Sequence, residues 1–179
     1  MNAQVGTLRR AALLAAVLPA LLLQAPARVQ AQAQPVAAAL VSLQVTTQAF
    51  DTALPWNKQR ERALSGNAIV LRGERLLTTA DMVKNANLIV VRKFGRFPDF
   101  PAQVVLADYE LNLALLSVDD AAFWTQLAPL PLRERPLQTG RFTINRWRQN
   151  GRFEQGSGEV VEYRVGVTRY GSMDLPVLR

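Results

Sequence analysis

Ser65-Gly66-Asn67-Ala68-Ile69-Val70-Leu71-Arg72-Gly73-Glu74-Arg75-Leu76-Leu77-Thr78-Thr79-Ala80-Asp81-Met82-Val83 is the stretch on which the fold turns. Two short runs, Asn67 to Leu71 and Arg75 to Thr79, flank Arg72-Gly73-Glu74. A tight reversal demands backbone conformations that glycine reaches at little steric cost, so the two runs read as the arms of a β-hairpin.

Outward from this hairpin the chain keeps the same texture. Leu40 to Thr47 alternates in character and suits a strand. Ala53 to Ala63, polar and holding Pro55, Lys58, Arg60 and Arg62, reads as an exposed loop. Leu88 to Arg92 is rich in β-branched residues and reads as a strand. Phe94 to Pro101 is a turn marked by Gly95, Pro98 and Pro101. Ala102 to Ala107 and Leu113 to Val118 give two more strands. Asp119 to Leu127 suits a short helix with Asp119 or Asp120 capping its first turn. Ala128 to Pro136 is proline-rich and reads as a linker. Arg141 to Arg146, Gly158 to Glu162 and Val165 to Arg169 then read as strands of a second unit. Short strands at regular spacing argue for an all-β barrel or sandwich.

Composition narrows the chemistry. Cysteine and histidine are both absent. That excludes thiol catalysis, thiolate metal sites and imidazole base chemistry, and leaves only oxygen ligands for a metal. Arg9 and Arg10, the apolar run Ala11 to Leu23 broken by Pro19, and Ala31-Gln32-Ala33 have the layout of a secretory signal peptide. The run falls short of a membrane span. The expectation is a leader over 1–33, a mature chain starting near Gln34 and an exported protein without disulfides. The net charge is +7, and Arg133, Arg135, Arg141, Arg146, Arg148, Arg152, Arg164 and Arg169 crowd the final third with Phe142 and Trp147 among them. For an exported protein this favours anionic membrane or cell-wall polymers over nucleic acid as a partner, and a solvated basic face over either.

Two motifs carry a resemblance. Ser65-Gly66-Asn67-Ala68-Ile69-Val70, Gly73 and Leu76-Leu77-Thr78-Thr79-Ala80-Asp81-Met82-Val83 resemble the first motif of the HtrA/Deg serine proteases, a G-S-G-F-V-I strand, a turn glycine and I-L-T-N-A-H-V-V. Asp108-Tyr109-Glu110-Leu111-Asn112-Leu113-Ala114-Leu115-Leu116-Ser117-Val118 resembles the second, D-x-x-x-D-L-A-L-L-x-V, with Asp119-Asp120 and Phe123-Trp124 following in order. Gln155-Gly156-Ser157-Gly158-Glu159-Val160-Val161 is similar to a turn and strand of the family's second barrel. The resemblance implies an all-β, trypsin-like (chymotrypsin-type) double β-barrel with an incomplete second barrel. The implied division is a first barrel over 34–127, a linker over 128–136 and a partial second barrel over 137–179.

The resemblance also implies where the chemistry should lie. The family's catalytic histidine falls on Asp81 and its catalytic aspartate on Asn112. A serine hydroxyl becomes a useful nucleophile when an imidazole takes its proton and a carboxylate steadies the imidazolium. A carboxylate with a pKa of about 4 is too weak a base for that role at neutral pH, and an asparagine carries no charge. The family's G-N-S-G-G-P loop, with nucleophile and oxyanion amides, is expected after residues like Leu175 to Leu178. With Arg179 ending the sequence, the expectation is that this loop is missing, as are the PDZ domains that often follow. No catalytic triad is therefore expected intact, and no cofactor or metal is implied.

Other residues have plainer readings. Ser65, Ser117, Ser157 and Ser172 coexist with Lys58, Lys84 and Lys93, but no S-x-x-K spacing joins them. Asp108, Glu110, Asp119 and Asp120 read as caps and solvated partners. Gly156-Ser157-Gly158 reads as a turn, and Trp56, Trp124 and Trp147 as core or rim packing. The first functional expectation is a catalytically inactive homologue that binds protein or peptide segments or pairs with another copy through an open barrel edge. The alternatives are an N-terminal part of a longer degenerate, PDZ-containing protease, and a basic periplasmic module for anionic polymers or lipid headgroups.

Overall fold

The computed structural model describes residues 36–134, 140–167, 171 and 175–178. The expected leader over 1–33, Arg135, Pro136, Arg169 and Ser172 lie outside the described residues.

The first unit is built around β1 (Leu40–Thr47), which runs antiparallel between β2 (Arg62–Leu71) and β4 (Ala86–Lys93). β2 starts at Arg62 and not at Asn67 as expected. The reason is register: the whole of β1 offers partners, so Thr47 sits opposite Arg62 and Thr46 opposite Ala63. The loop expected over 53–63 accordingly ends at Glu61. β2 turns into β3 (Arg75–Thr78) through 72–74, where Gly73 (φ 75°) and Glu74 (φ 55°) both take the left-handed conformation. β7 (Leu113–Ser117) pairs with β3 on one side and with β6 (Gln103–Asp108) on the other.

The sheet closes through a single run of chain. β5 (Phe100–Pro101) pairs with β4, and only Ala102 separates β5 from β6. The Ala102 N–H donates to the Ile89 carbonyl at 2.9 Å, which continues the β4 pairing. One run therefore pairs with β4 at its start and with β7 over its remainder, and the seven-stranded sheet curls into a barrel.

Alternate residues of β1, namely Val41, Leu43 and Val45, are buried in the barrel with Leu76, Val91 and Leu116. The last large group is Phe123, fully buried and carried by α2 (Ala121–Trp124), since α1 (Ala80–Val83) supplies only Ala80 and Val83. The Phe123 ring lies 5.1 Å from that of Phe100 and 4.9 Å from that of Trp124. Burying such a side chain contributes about 1.5–3 kcal/mol. Asp120, not Asp119, caps α2, accepting from the Ala122 N–H at 2.8 Å. Lys93 Nζ closes the other end by donating to the Ala122 carbonyl at 2.7 Å.

The second unit is thinner. β8 (Gly140–Trp147) and β9 (Phe153–Val160) form one antiparallel hairpin; β10 (Tyr163–Gly166) and β11 (Leu175–Leu178) form another pair. Two separate two-stranded sheets follow a closed barrel, so the architecture is all-β and trypsin-like with an incomplete second barrel. β9 corrects the turn expected at Gly156-Ser157-Gly158. These residues lie within the strand, with Ser157 opposite Thr143, and the reversal is at 148–152. Gly158 is there because the Phe142 ring lies on it: a Cβ at Gly158 would stand 2.5 Å from Phe142 Cζ. The predicted linker is laid against the barrel at its start, Ala128 N–H donating to the Ala38 carbonyl and Leu130 N–H to that of Val70.

Candidate functional site

The two residues singled out by the motifs meet. α1 begins immediately after β3, and its N-terminal N–H groups would be open because the Thr79 side chain does not cap it. Asn112 does so from the turn before β7. Its backbone carbonyl accepts from the Ala80 N–H at 3.2 Å and its side-chain oxygen from the Asp81 N–H at 2.9 Å. Asn112 sits at φ 54°, a left-handed conformation that asparagine tolerates better than most residues. The contact between the positions is thus a helix cap between distant segments. Oδ1 of Asp81 is shut off from solvent and receives no hydrogen bond among the described residues.

The other candidates are dispersed. Lys93 is spent on α2 and on Thr125, Lys58 lies over the Phe50 ring and Lys84 over the Tyr109 ring. Asp108 accepts from the Leu111 N–H, a turn contact, and Asp119 accepts from the Gln103 amide. Trp124 packs as expected and donates to the Val118 carbonyl. Trp56 does not: at 76 % exposed it belongs to neither core nor rim.

Trp147 joins the two units. Its backbone N–H donates to Asn67 Oδ1 at 2.7 Å, and its carbonyl accepts from Asn67 Nδ2 at 3.2 Å. The single side chain of Asn67 therefore pairs with a strand residue as another strand would. The Trp147 indole N–H donates to the Leu40 carbonyl, and its ring packs on Phe94 and Phe153. Close by, Gly95 and Gly151, both at positive φ, bring the β4–β5 turn against the β8–β9 turn. A Cβ on Gly95 would stand 2.9 Å from the Gly151 Cα. Sequence reasoning missed this seam. Gly95 was visible as a turn residue, but nothing local marked Asn67.

Beside the seam lies a cleft of about 570 Å³ between β1, β2 and the β8–β9 turn. Ser42, Gln44 and Ser65 line it from the barrel, and Arg146, Arg148 and Gln149 from the hairpin. Glu154 bridges the arginines: its Oε2 accepts from Arg148 Nε at 2.7 Å and from Arg146 Nε at 3.1 Å. Those bonds, Arg148 first, hold the Glu154 carboxyl below its ordinary range. Asp99 is lowered in the same way by its hydrogen bonds from Arg92.

A closed β-barrel followed by open hairpins, with a residue pair at the α1 cap, defines a chain of the trypsin-like class. Over 139 residues it is 32 % identical to Protease Do-like 2, chloroplastic, of Arabidopsis thaliana, an alignment covering 76 % of this chain and 23 % of that protein. Protease Do-like 4, mitochondrial, from the same plant is 34 % identical over 82 residues, 46 % of this chain and 16 % of the relative. Among solved structures, the Rv3671c protease of M. tuberculosis in its active form superposes with a TM-score of 0.58 at 22 % identity, covering 85 % of this chain and 60 % of that one. The HtrA-type protease AlgW with decapeptide superposes with a TM-score of 0.57 at 20 % identity, over 82 % and 50 %. No family model matches. The chain belongs to the Do-like (HtrA/Deg) family of trypsin-like proteases, and it spans about a quarter or less of the length of these curated relatives.

Proposed function

We propose that this chain is an exported, catalytically inactive HtrA/Deg-type homologue that works by binding protein or peptide segments. The observation that carries the reading is the Asp81–Asn112 contact. By motif, these residues occupy the positions of the family's histidine and aspartate, and here Asn112 spends its side-chain oxygen on the Asp81 backbone N–H. A carboxylate at position 81 is a poor base for a seryl proton at neutral pH, and Asn112 has no charge with which to steady a cation. The chain holds no histidine that could take either part. AlgW, which shares this fold over 50 % of its own chain, was solved with a decapeptide, and that motivates the peptide-binding part of the proposal.

Treatment of the purified protein with a fluorophosphonate probe tests inactivity. No labelling is expected, and labelling of a defined serine, lost on its change to alanine, would overturn the reading. Export is tested separately by sequencing the N-terminus of the protein recovered outside the cytoplasm. A start near Gln34 is expected, and an intact Met1 would count against it.

A further inference from the structure

The cleft beside the seam has a chemistry that the protease reading does not use. Its lining includes two arginines and no carboxylate. Ser42, Gln44, Ser65 and Gln149 line it too, and the side chains of these four make no hydrogen bond among the described residues. Ser42 is buried and Gln44 half-buried, while Ser65 and Gln149 are exposed, so the cleft offers hydroxyl and amide groups along its wall from floor to rim. Arg146 and Arg148 flank Trp147 on one strand and its exit. Strand alternation therefore sends both guanidinium groups to one side while the Trp147 ring packs on Phe94 and Phe153. On that side they meet one carboxylate, Glu154, whose single oxygen Oε2 takes the bonds of both. One negative charge set against two positive ones leaves a positive charge facing the cleft.

We propose that this cleft binds a small oxyanion group, a carboxylate or a phosphate, held by Arg146 and Arg148 with the hydroxyl and amide groups of the barrel strands. Planar guanidinium groups suit both anions, since each offers paired oxygens to parallel N–H donors. Glu154 is the internal competitor. It holds the arginines in place when the cleft is empty, and an incoming anion shares them. Neither Asp81 nor Asn112 lines the cleft, although Gly66 on its wall packs close to Met82 of α1, and anion binding there does not depend on whether the chain cleaves peptides.

Calorimetric titration of the full chain tests this, with three probes: inorganic phosphate, a short acetylated peptide ending in a free carboxylate, and the same peptide amidated. Saturable binding of phosphate, of the free-carboxylate peptide or of both is expected, with the amidated peptide inert. Phosphate alone would assign a phosphate-bearing ligand, and the free-carboxylate peptide alone a chain terminus. Loss of a hydrogen bond between charged groups weakens binding about tenfold or more, and that is the effect expected of Arg148→Gln. Glu154→Gln frees both arginines and should tighten binding severalfold. This variant gives the sharper result because a damaged fold cannot produce tighter binding. Absence of saturable binding to either anion, equal binding of the amidated peptide, or a folded Glu154→Gln protein that binds more weakly would overturn the proposal.

Discussion

The first barrel and the β8–β9 hairpin are built from the same kind of strand but held by different forces. The barrel closes on itself, and its inward residues from β1, β3, β4 and β7 lie in a buried apolar core completed by Phe123. The hairpin has no such interior: Ile144 on β8 is 53 % exposed, and Phe142 lies on a glycine instead of in a core. Its position depends on a seam of specific contacts, with Asn67 clamping the Trp147 backbone and Gly95 against Gly151. A barrel stabilised by non-directional burial tolerates approximate fits, whereas a hairpin held by a few directional bonds is lost when one of them goes.

The largest effect should come from the barrel. Phe123→Ala is expected to cost about 3–5 kcal/mol in urea unfolding, whereas Ile144→Ala should stay within about 0.5 kcal/mol. Equal costs would mean that the hairpin has an interior of its own and would break the contrast. Next comes the seam. Asn67→Ala removes both bonds to Trp147 and should cost about 1–3 kcal/mol. Hydrogen exchange should locate the loss: amides of β8 and β9 lose protection while those of β1 and β4 keep theirs. Uniform loss across the molecule would instead mean that Asn67 supports the whole barrel and not the seam alone.

The smallest effect is electrostatic. Asp99 and Glu154 both have carboxyls lowered by arginine hydrogen bonds, Asp99 on the barrel and Glu154 on the hairpin. A carboxyl lowered on folding stabilises the native state above its unfolded pKa of about 4, and that contribution is lost as pH falls through the lower folded value. Both pairs are exposed enough for solvent to screen them, so the effects are small. Thermal melts taken in acid should show a shallower loss of stability for Asp99→Asn and for Glu154→Gln than for the parent. A slope unchanged in both variants would mean that neither pair contributes to stability.

The strands of the barrel were legible in the sequence because a half-buried strand leaves a local trace. Leu40 to Thr47 alternates, Gly73 marks a reversal, and Leu113 to Ser117 is apolar between turns. β2 was legible only from Asn67. Arg62, Ala63 and Ser65 have no strand character of their own and are drawn into the sheet by the length of β1. The middle of β9 carries a misleading local trace for a related reason: Gly156 and Gly158 signal a turn, but Phe142 on the neighbouring strand uses Gly158 as a surface to lie on. At the candidate site, motif order singled out Asp81 and Asn112. The bond between them runs from a backbone N–H, which side-chain patterns do not reveal. The seam was not legible at all, because Asn67 and Trp147 stand 80 residues apart and each is unremarkable among its neighbours.

Asn112 caps α1 through the Asp81 N–H, and the proposal that this pair serves the scaffold and not a reaction is open to a direct test. Casein hydrolysis at neutral pH by the purified chain, compared with its Asp81→Ala variant, tests this most directly. Both should release peptide at the rate of buffer alone. Turnover by the parent that disappears in a folded Asp81→Ala protein would contradict the claim.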